Sequence, residues 1–224
     1  MVAGARPLLL GHRGARATAS IPENTLASFD LCMQHGCDGF EFDVRRTADG
    51  ISVVCHDDSF RGLNLAKANA PDLAPWHAQG LLPTLEEVLK RFSPGSFLDI
   101  EIKDRGLETR VIELLHCYPP QFGYVVTSFD PEVLLRLREL DPTVELGFLW
   151  DRPTTLWGSL PVTWVLPERR LLDQSLALAL KGAGKRIGTW AVNHPSEMLR
   201  LAALGAEILI SDDTAGLANT FPVS

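Results

Sequence analysis

Two short segments set carboxylates into otherwise apolar strand patterns. In Phe40-Glu41-Phe42-Asp43-Val44 the apolar side chains alternate with Glu41 and Asp43. Strand side chains point to opposite faces in turn, so the two acids share one side. In Phe97-Leu98-Asp99-Ile100-Glu101-Ile102-Lys103, Leu98, Ile100 and Ile102 take one face, and Asp99, Glu101 and Lys103 share the other with Phe97. If the Ile and Val faces meet outer helices, the charged faces point inward, where unpaired ions cost several kcal/mol unless paired or bound to metal. Glu41, Asp43 and Glu101 then offer an all-oxygen site for one hard divalent cation, Mg²⁺ or Ca²⁺, completed by water or substrate oxygens. Zinc suits the set less because no cysteine ligand is near, although His12 or His56 could take part. The competing reading is an internal ion-pair network with Lys103 and Arg45 as counter-charges.

Two histidines stand at strand ends close to these segments. His12 lies in Gly11-His12-Arg13-Gly14 and His56 in Cys55-His56-Asp57-Asp58. Imidazoles titrate near neutrality, so a pair can act as acid and base across one reaction centre. Arg13 adds a guanidinium fork suited to a phosphate, and Lys103 a second fixed positive charge. His35, His77, His116 and His194 lack comparable neighbours and read as surface or structural residues.

What must position these groups is a run of alternating strands and helices. Strand patterns occur at Leu8–Gly11, Gly39–Val44, Phe97–Ile102, Tyr124–Ser128, Val144–Leu149, Val162–Leu166, Arg186–Val192 and Glu207–Ser211. Helical patterns between them cover Thr25–His35, Thr84–Phe92, Glu108–His116, Pro131–Leu140, Gln174–Gly182, Pro195–Leu204 and Thr214–Asn219, while Arg152–Ser159 allows only a short turn. Asn24 suits the N-cap of the first helix, Pro131 and Pro195 first helical positions, and Gly36, Gly184 and Gly205 helix stops. An extra strand, Ile51–His56, follows across Asp49-Gly50 and predicts an antiparallel hairpin on the second strand. Eight β/α units predict an α/β (β/α)₈ TIM-type barrel, with active-site groups at the C-terminal strand ends. No phosphate-binding glycine loop follows the first strand, against an open nucleotide-binding sheet. The irregular stretch Ser59–Leu82 is expected to be a flap over one end of the barrel.

Composition bounds the partners. The 224 residues carry 28 acidic and 21 basic side chains, a net charge of −7, with 46% hydrophobic residues. Such a chain has an ordinary core, and its charge argues against nucleic acid as the main partner but not against a small anion. No apolar run approaches the ~20 residues of a membrane span, and Leu8-Leu9-Leu10 is too short for a signal-peptide core. Cys32, Cys37, Cys55 and Cys117 show neither a C-x-x-C pair nor zinc spacing, so a reduced, cytoplasmic chain of one domain is expected. Nicotinamide and flavin have no supporting motif, and oligomeric state is not legible.

The motifs, taken in order, resemble the glycerophosphodiester phosphodiesterase family. The resemblance is carried by Gly11-His12-Arg13-Gly14, Pro22-Glu23-Asn24-Thr25, Glu41-x-Asp43-Val44, His56-Asp57 and Pro83-Thr84-Leu85-Glu86-Glu87-Val88. It continues through Glu101-Ile102-Lys103, Thr189-Trp190-x-Val192-Asn193 and Ser211-Asp212. It implies a metal-dependent barrel that hydrolyses small-molecule glycerophosphodiesters to glycerol 3-phosphate and an alcohol. It also implies metal ligands at Glu41, Asp43 and Glu101, an acid/base pair at His12 and His56, and phosphate contacts at Arg13 and Lys103. Glu23 and Asn24 fall on the family's pocket-edge positions and Trp190 on its pocket-wall aromatic. The chain departs from the family pattern at Ser59-Phe60-Arg61-Gly62-Leu63-Asn64 and at Pro167-Glu168, both expected to border the alcohol end of the substrate.

Two other activities compete with this one. A Schiff-base lyase would use Lys103 as nucleophile, although Glu101 and Asp99 on the same face should keep it protonated. A lysophospholipase D-like, lipid-acting phosphodiesterase would use the apolar residues of Ser59–Leu82 on an acyl chain or membrane, against their simpler use as a cap.

Overall fold

The computed structural model describes residues 6–222. The chain runs β1 (Leu8–His12), α1 (Leu26–Gln34), β2 (Gly39–Arg46), β3 (Ser52–Val54), β4 (Ser59–Phe60), β5 (Leu63–Asn64), α2 (Ala70–His77) and α3 (Leu85–Phe92). It continues β6 (Phe97–Ile102), α4 (Glu108–Cys117), β7 (Tyr124–Ser128), α5 (Pro131–Leu140), β8 (Leu146–Trp150), β9 (Trp164–Pro167) and α6 (Gln174–Gly182). The last elements are β10 (Arg186–Thr189), α7 (Pro195–Leu204), β11 (Ile208–Ser211) and α8 (Thr214–Thr220). Strands β1, β2 and β6 to β11 pair in parallel, and β1 pairs with both β2 and β11. The sheet is therefore a closed eight-stranded TIM barrel. Between β8 and β9 there is only the 3₁₀ turn Leu156–Gly158, as Arg152–Ser159 foretells.

Alternation along each strand sorts the core into two layers. Leu9, Phe40, Phe42, Leu98, Ile100, Val126, Val165 and Leu209 face the helices. Leu10, Phe97, Val125, Trp164, Leu166, Ile208 and Ile210 form a separate cluster inside the barrel. Two residues on from that inner layer, on the same face, come His12, Asp99 and Asp212, and Glu101 and Lys103 follow Asp99. The inner cluster plugs the bottom of the barrel, and polar groups rise above it toward the C-terminal strand ends. Behind β2, Phe29 stacks on Phe40 at 4.1 Å and Phe92 meets Phe40 edge-on at 5.0 Å. These rings hold the strand that carries Glu41 and Asp43. Gly39 is required at the foot of that strand, since a Cβ there would sit 1.8 Å from the Phe97 carbonyl.

The hairpin forms as expected. Gly50 takes φ +85° in the turn, and β3 pairs antiparallel with β2 from Val44↔Val54 to Arg46↔Ser52. Beyond Glu41 the β1 edge of β2 is vacant, and β3 fills it. The N-cap of α1 is Thr25 rather than Asn24: the Thr25 hydroxyl accepts from Ser28 N–H, while Asn24 has φ +57° and turns its amide toward Asp43. The flap expectation for Ser59–Leu82 also needs correction. Leu65, Ala68, Leu73 and Leu82 pack with Val53 and Cys55 into a core of their own beside the hairpin, joined by Phe60, Leu63 and Trp76. No described helix is long and apolar enough to cross a membrane.

Candidate active site

A pocket of about 150 Å³ opens at the C-terminal ends of the strands. His12, Arg13, Glu41, His56, Glu101 and Lys103 line its polar side, and Phe129, Leu149, Trp190 and Ile210 its apolar side. Glu41 and Asp43 on β2 stand opposite Asp99 and Glu101 on β6 in register, which makes a two-by-two grid of carboxylates. All four are buried, and one oxygen each from Glu41, Asp43 and Glu101 lies within 4.8 Å of the others.

The positive groups meet this grid directly. Lys103 Nζ lies 2.9 Å from Asp43 Oδ1 and 2.5 Å from Glu101 Oε1. Arg13 Nε lies 3.3 Å from Asp43 Oδ2, and its Nη1 donates to Glu23 Oε1 at 2.7 Å. Arg13 N–H donates to Glu41 Oε2 at 2.9 Å, and Asn24 Nδ2 to Asp43 Oδ2 at 2.8 Å. Arg13 and Asn24 both have left-handed backbones, φ +53° and +57°, an arrangement that ordinary residues adopt only where surrounding contacts impose it. Arg45 takes no part in the grid; it bonds the His56 carbonyl at 2.7 Å and Asp104 at 2.8 Å. The counter-charges are thus Lys103 and Arg13, not Lys103 and Arg45.

Four buried acids against two cations leave the grid short of positive charge. Burial, with Asp43 and Glu101 close by, pushes the Glu41 carboxyl well above its usual range. Burial likewise lifts Glu101 to about 7, although Lys103 opposes it. Asp43 stays low because Lys103 and Arg13 outweigh its burial. For Lys103, burial lowers the pKa but Glu101 and Asp43 raise it further, so the ammonium is held charged, a poor state for a Schiff-base nucleophile.

Asp99 lies fully buried, Oδ1 accepting from Thr127 Oγ1 at 2.6 Å and Oδ2 without a partner among the described residues. Burial raises it to about 8. The ordinary aspartate value is ~4, so the folded chain keeps a proton that the unfolded chain releases, and folding stability falls as pH rises toward 8. Asp99→Asn removes that loss. In EDTA, its melting temperature relative to the parent should climb between pH 5 and 8; a pH-independent difference would contradict this assignment.

The two histidines are held differently. His12 Nδ1 lies 2.7 Å from Asp212 Oδ1, and its Nε2 lies 3.9 Å from Glu41 Oε2. His56 Nδ1 lies 2.8 Å from Asp57, whose carboxylate is largely exposed. Trp190 Nε1 donates to the Leu166 carbonyl at 2.9 Å, and its ring meets Phe129 edge-on at 5.5 Å. Glu23 and Asn24 line a neighbouring pocket with His56, Asp57, Phe60 and Arg61 instead of the central one. Glu168 folds back onto Arg170 N and Nε. Sequence reasoning assigns no role to Asp212, Asn193 or Arg16, which lie around His12. Asp212 could be found from the topology: closing the barrel sets the last strand beside the first.

Comparison with known proteins bears on this arrangement. The Glycerophosphoryl diester phosphodiesterase family profile matches residues 12–215. The probable glycerophosphodiester phosphodiesterase 1 of Mycobacterium tuberculosis is 48% identical, over 86% of this chain and 84% of its own. A glycerophosphodiester phosphodiesterase of Caldanaerobacter subterraneus is 26% identical over 96% of this chain and 97% of its own. Among solved structures, an Oleispira antarctica phosphodiesterase in complex with the product sn-glycerol-3-phosphate superposes with a TM-score of 0.83 at 26% identity, covering 97% of this chain and 98% of that one.

Proposed function

We propose, from the premise that this chain belongs to the glycerophosphoryl diester phosphodiesterase family, that it cleaves glycerophosphodiesters to sn-glycerol 3-phosphate and an alcohol. In this reading the whole chain serves as one barrel domain, and a divalent cation, Mg²⁺ or Ca²⁺, is held by Glu41, Asp43 and Glu101. The observation that carries the proposal is the meeting of two histidines, two cations and the carboxylates Glu41 and Glu101 in one pocket, with Asp43 beside them completing a three-oxygen cluster. The donor set fits a hard cation: three buried carboxylate oxygens, two of them on groups whose pKa is raised by burial and by the neighbouring acids.

When bound, the cation supplies Lewis-acid stabilisation of the phosphate and acidifies a nearby hydroxyl. Arg13, braced by Glu23 and Asp43, presents its guanidinium to the phosphate, and Lys103 shares the growing negative charge. One of His12 and His56 removes the proton from the attacking hydroxyl, and the other protonates the leaving alkoxide. Either water attacks the phosphorus and expels the alcohol directly, or the neighbouring glycerol hydroxyl attacks, expelling the alcohol and closing a cyclic phosphate that water then opens to sn-glycerol 3-phosphate. Phe129, Leu149, Trp190 and Ile210 shield the glycerol carbons from solvent. The apolar side chains of residues 59–82 are largely spent in their own core, which favours water-soluble substrates over a membrane lipid. The four cysteines are free thiols, in keeping with the reducing cytoplasm assigned to the chain in this reading.

Metal binding should depend on pH. Glu41 and Glu101 must lose protons to act as ligands, so affinity rises with pH through about 7. Calorimetric titration of Mg²⁺ or Ca²⁺ into EDTA-treated protein should show tighter binding at pH 8 than at pH 6, with proton release at pH 6. Equal affinity at both values would argue against these ligands. The reading as a whole is tested by assaying a panel of glycerophosphodiesters with and without metal, with lysophospholipid micelles as the lipid arm.

A further inference from the structure

The environment of His12 is built to a degree that its role as acid or base does not by itself require. Asp212 follows β11 on the inward face, and β11 pairs with β1 through Gly11↔Ser211, so closure of the barrel makes Asp212 the lateral neighbour of His12. Its carboxylate is fixed by three donors from two distant parts of the chain. His12 Nδ1 lies 2.7 Å from Oδ1, Arg16 Nη1 donates to the same oxygen at 3.0 Å, and Asn193 Nδ2 donates to Oδ2 at 2.7 Å. Asn193 also accepts, through Oδ1, from Asp212 N–H at 2.9 Å and from the Ser211 hydroxyl at 3.0 Å. One asparagine thus grips both the backbone and the carboxylate of Asp212. By contrast, Asp57 beside His56 is largely exposed.

We infer that Asp212 is the positioning residue of His12, and that Asn193 and Arg16 act through Asp212 to set the ring's orientation and tautomer. The inference rests on the proposed role of His12. A carboxylate can only accept, and here its partners hold it ionised, well below the usual range despite its partial burial. The ring must therefore place a proton on Nδ1, which leaves Nε2 to face the pocket beside Glu41. Arg16 extends the chain of contacts, because it also donates to Glu23 Oε2 at 2.7 Å, and Glu23 holds Arg13. The phosphate-facing arginine and the histidine are thereby tied to one loop.

Asp212→Asn tests this with nearly unchanged volume. Asn193 Nδ2 needs an acceptor, so the new carbonyl turns to it and the new NH₂ faces His12 and Arg16, donors toward donors. The ring should then move its proton to Nε2, the wrong tautomer. Ring ¹⁵N spectra of the metal-loaded protein at pH 8.5 should show protonated Nδ1 at His12 in the parent and protonated Nε2 in the variant. Misorientation of a reacting group costs up to ~10²-fold, so kcat should fall at least ~10-fold while KM changes less than ~3-fold. An unchanged tautomer, or a loss expressed in KM alone, overturns the inference. If Asp212→Asn does not fold, Asn193→Ala carries the test, since it frees the carboxylate but leaves it beside the ring. It should lower kcat several-fold at constant KM, and an unchanged kcat overturns the inference. The tautomer is read without substrate, so a parent protein inactive on glycerophosphodiesters refutes the proposed reaction and not the positioning.

Discussion

His12→Ala and His56→Ala each lower turnover of glycerophosphocholine at least ~10²-fold, the ordinary contribution of a general acid or base. The expected loss lies in kcat, because neither imidazole is needed to hold the phosphate. In the proposed reading that task belongs to Arg13 and Lys103, whose positions are set by Glu23, Asp43 and Glu101 and not by the histidines. Neither ring is part of the apolar core, and both border the pocket, so the melting temperature should move little. Steady-state kinetics with a thermal melt on each variant decides the matter. Turnover near the parent value in either variant would remove that histidine from the chemistry, whatever became of its stability.

Glu41→Gln separates a metal site from an internal ion-pair network, because the two predict opposite changes in stability. In a network whose purpose is stability, loss of a buried charge leaves its partners unpaired and destabilises the fold by about 3 kcal/mol or more. Among the three proposed ligands Glu41 has the least compensation: its carboxyl is raised by burial and by Asp43 and Glu101, and Lys103 bonds the other two. Its one strong contact, from Arg13 N–H to Oε2, survives in glutamine, whose amide oxygen also accepts. In EDTA the variant should melt at or above the parent temperature, most clearly at pH 8, where the parent carries the larger cost of ionising this group. The parent should gain stability on adding Mg²⁺ or Ca²⁺, and the variant should lose most of that gain together with at least ~10²-fold of its activity. A metal-free variant markedly less stable than the parent would favour the network.

The barrel is legible in the sequence because eight apolar strands alternate with helices, and β6, β7, α5, α6 and α7 fall on their expected residues. Period-two alternation places Glu41, Asp43, Glu101 and Lys103 on inward faces, because a strand side chain has only two directions to take. Loops allow more. Asn24 has the residue type of a cap, but a left-handed backbone sends its amide to Asp43 and passes the cap to Thr25. Arg45 shares the inward parity of Asp43, yet it lies past the rim, where Asp104 and the His56 carbonyl are nearer partners. The apolar residues of 59–82 could cover the barrel or one another with equal ease; only the hairpin strand beside them decides it. Asp212 and Arg16 come from opposite ends of the chain, and their meeting at His12 follows from closure of the sheet and not from any local pattern.

The central claim, a cation-assisted phosphodiesterase, is tested most directly by measuring sn-glycerol 3-phosphate released from glycerophosphocholine by the purified chain. The assay is run after stripping with EDTA and again after adding Mg²⁺ or Ca²⁺ to the same sample. The expected result is no release from the stripped protein and full release once either cation is restored. Full activity in a rigorously metal-free sample, or no product with either cation across a range of head groups, would contradict it.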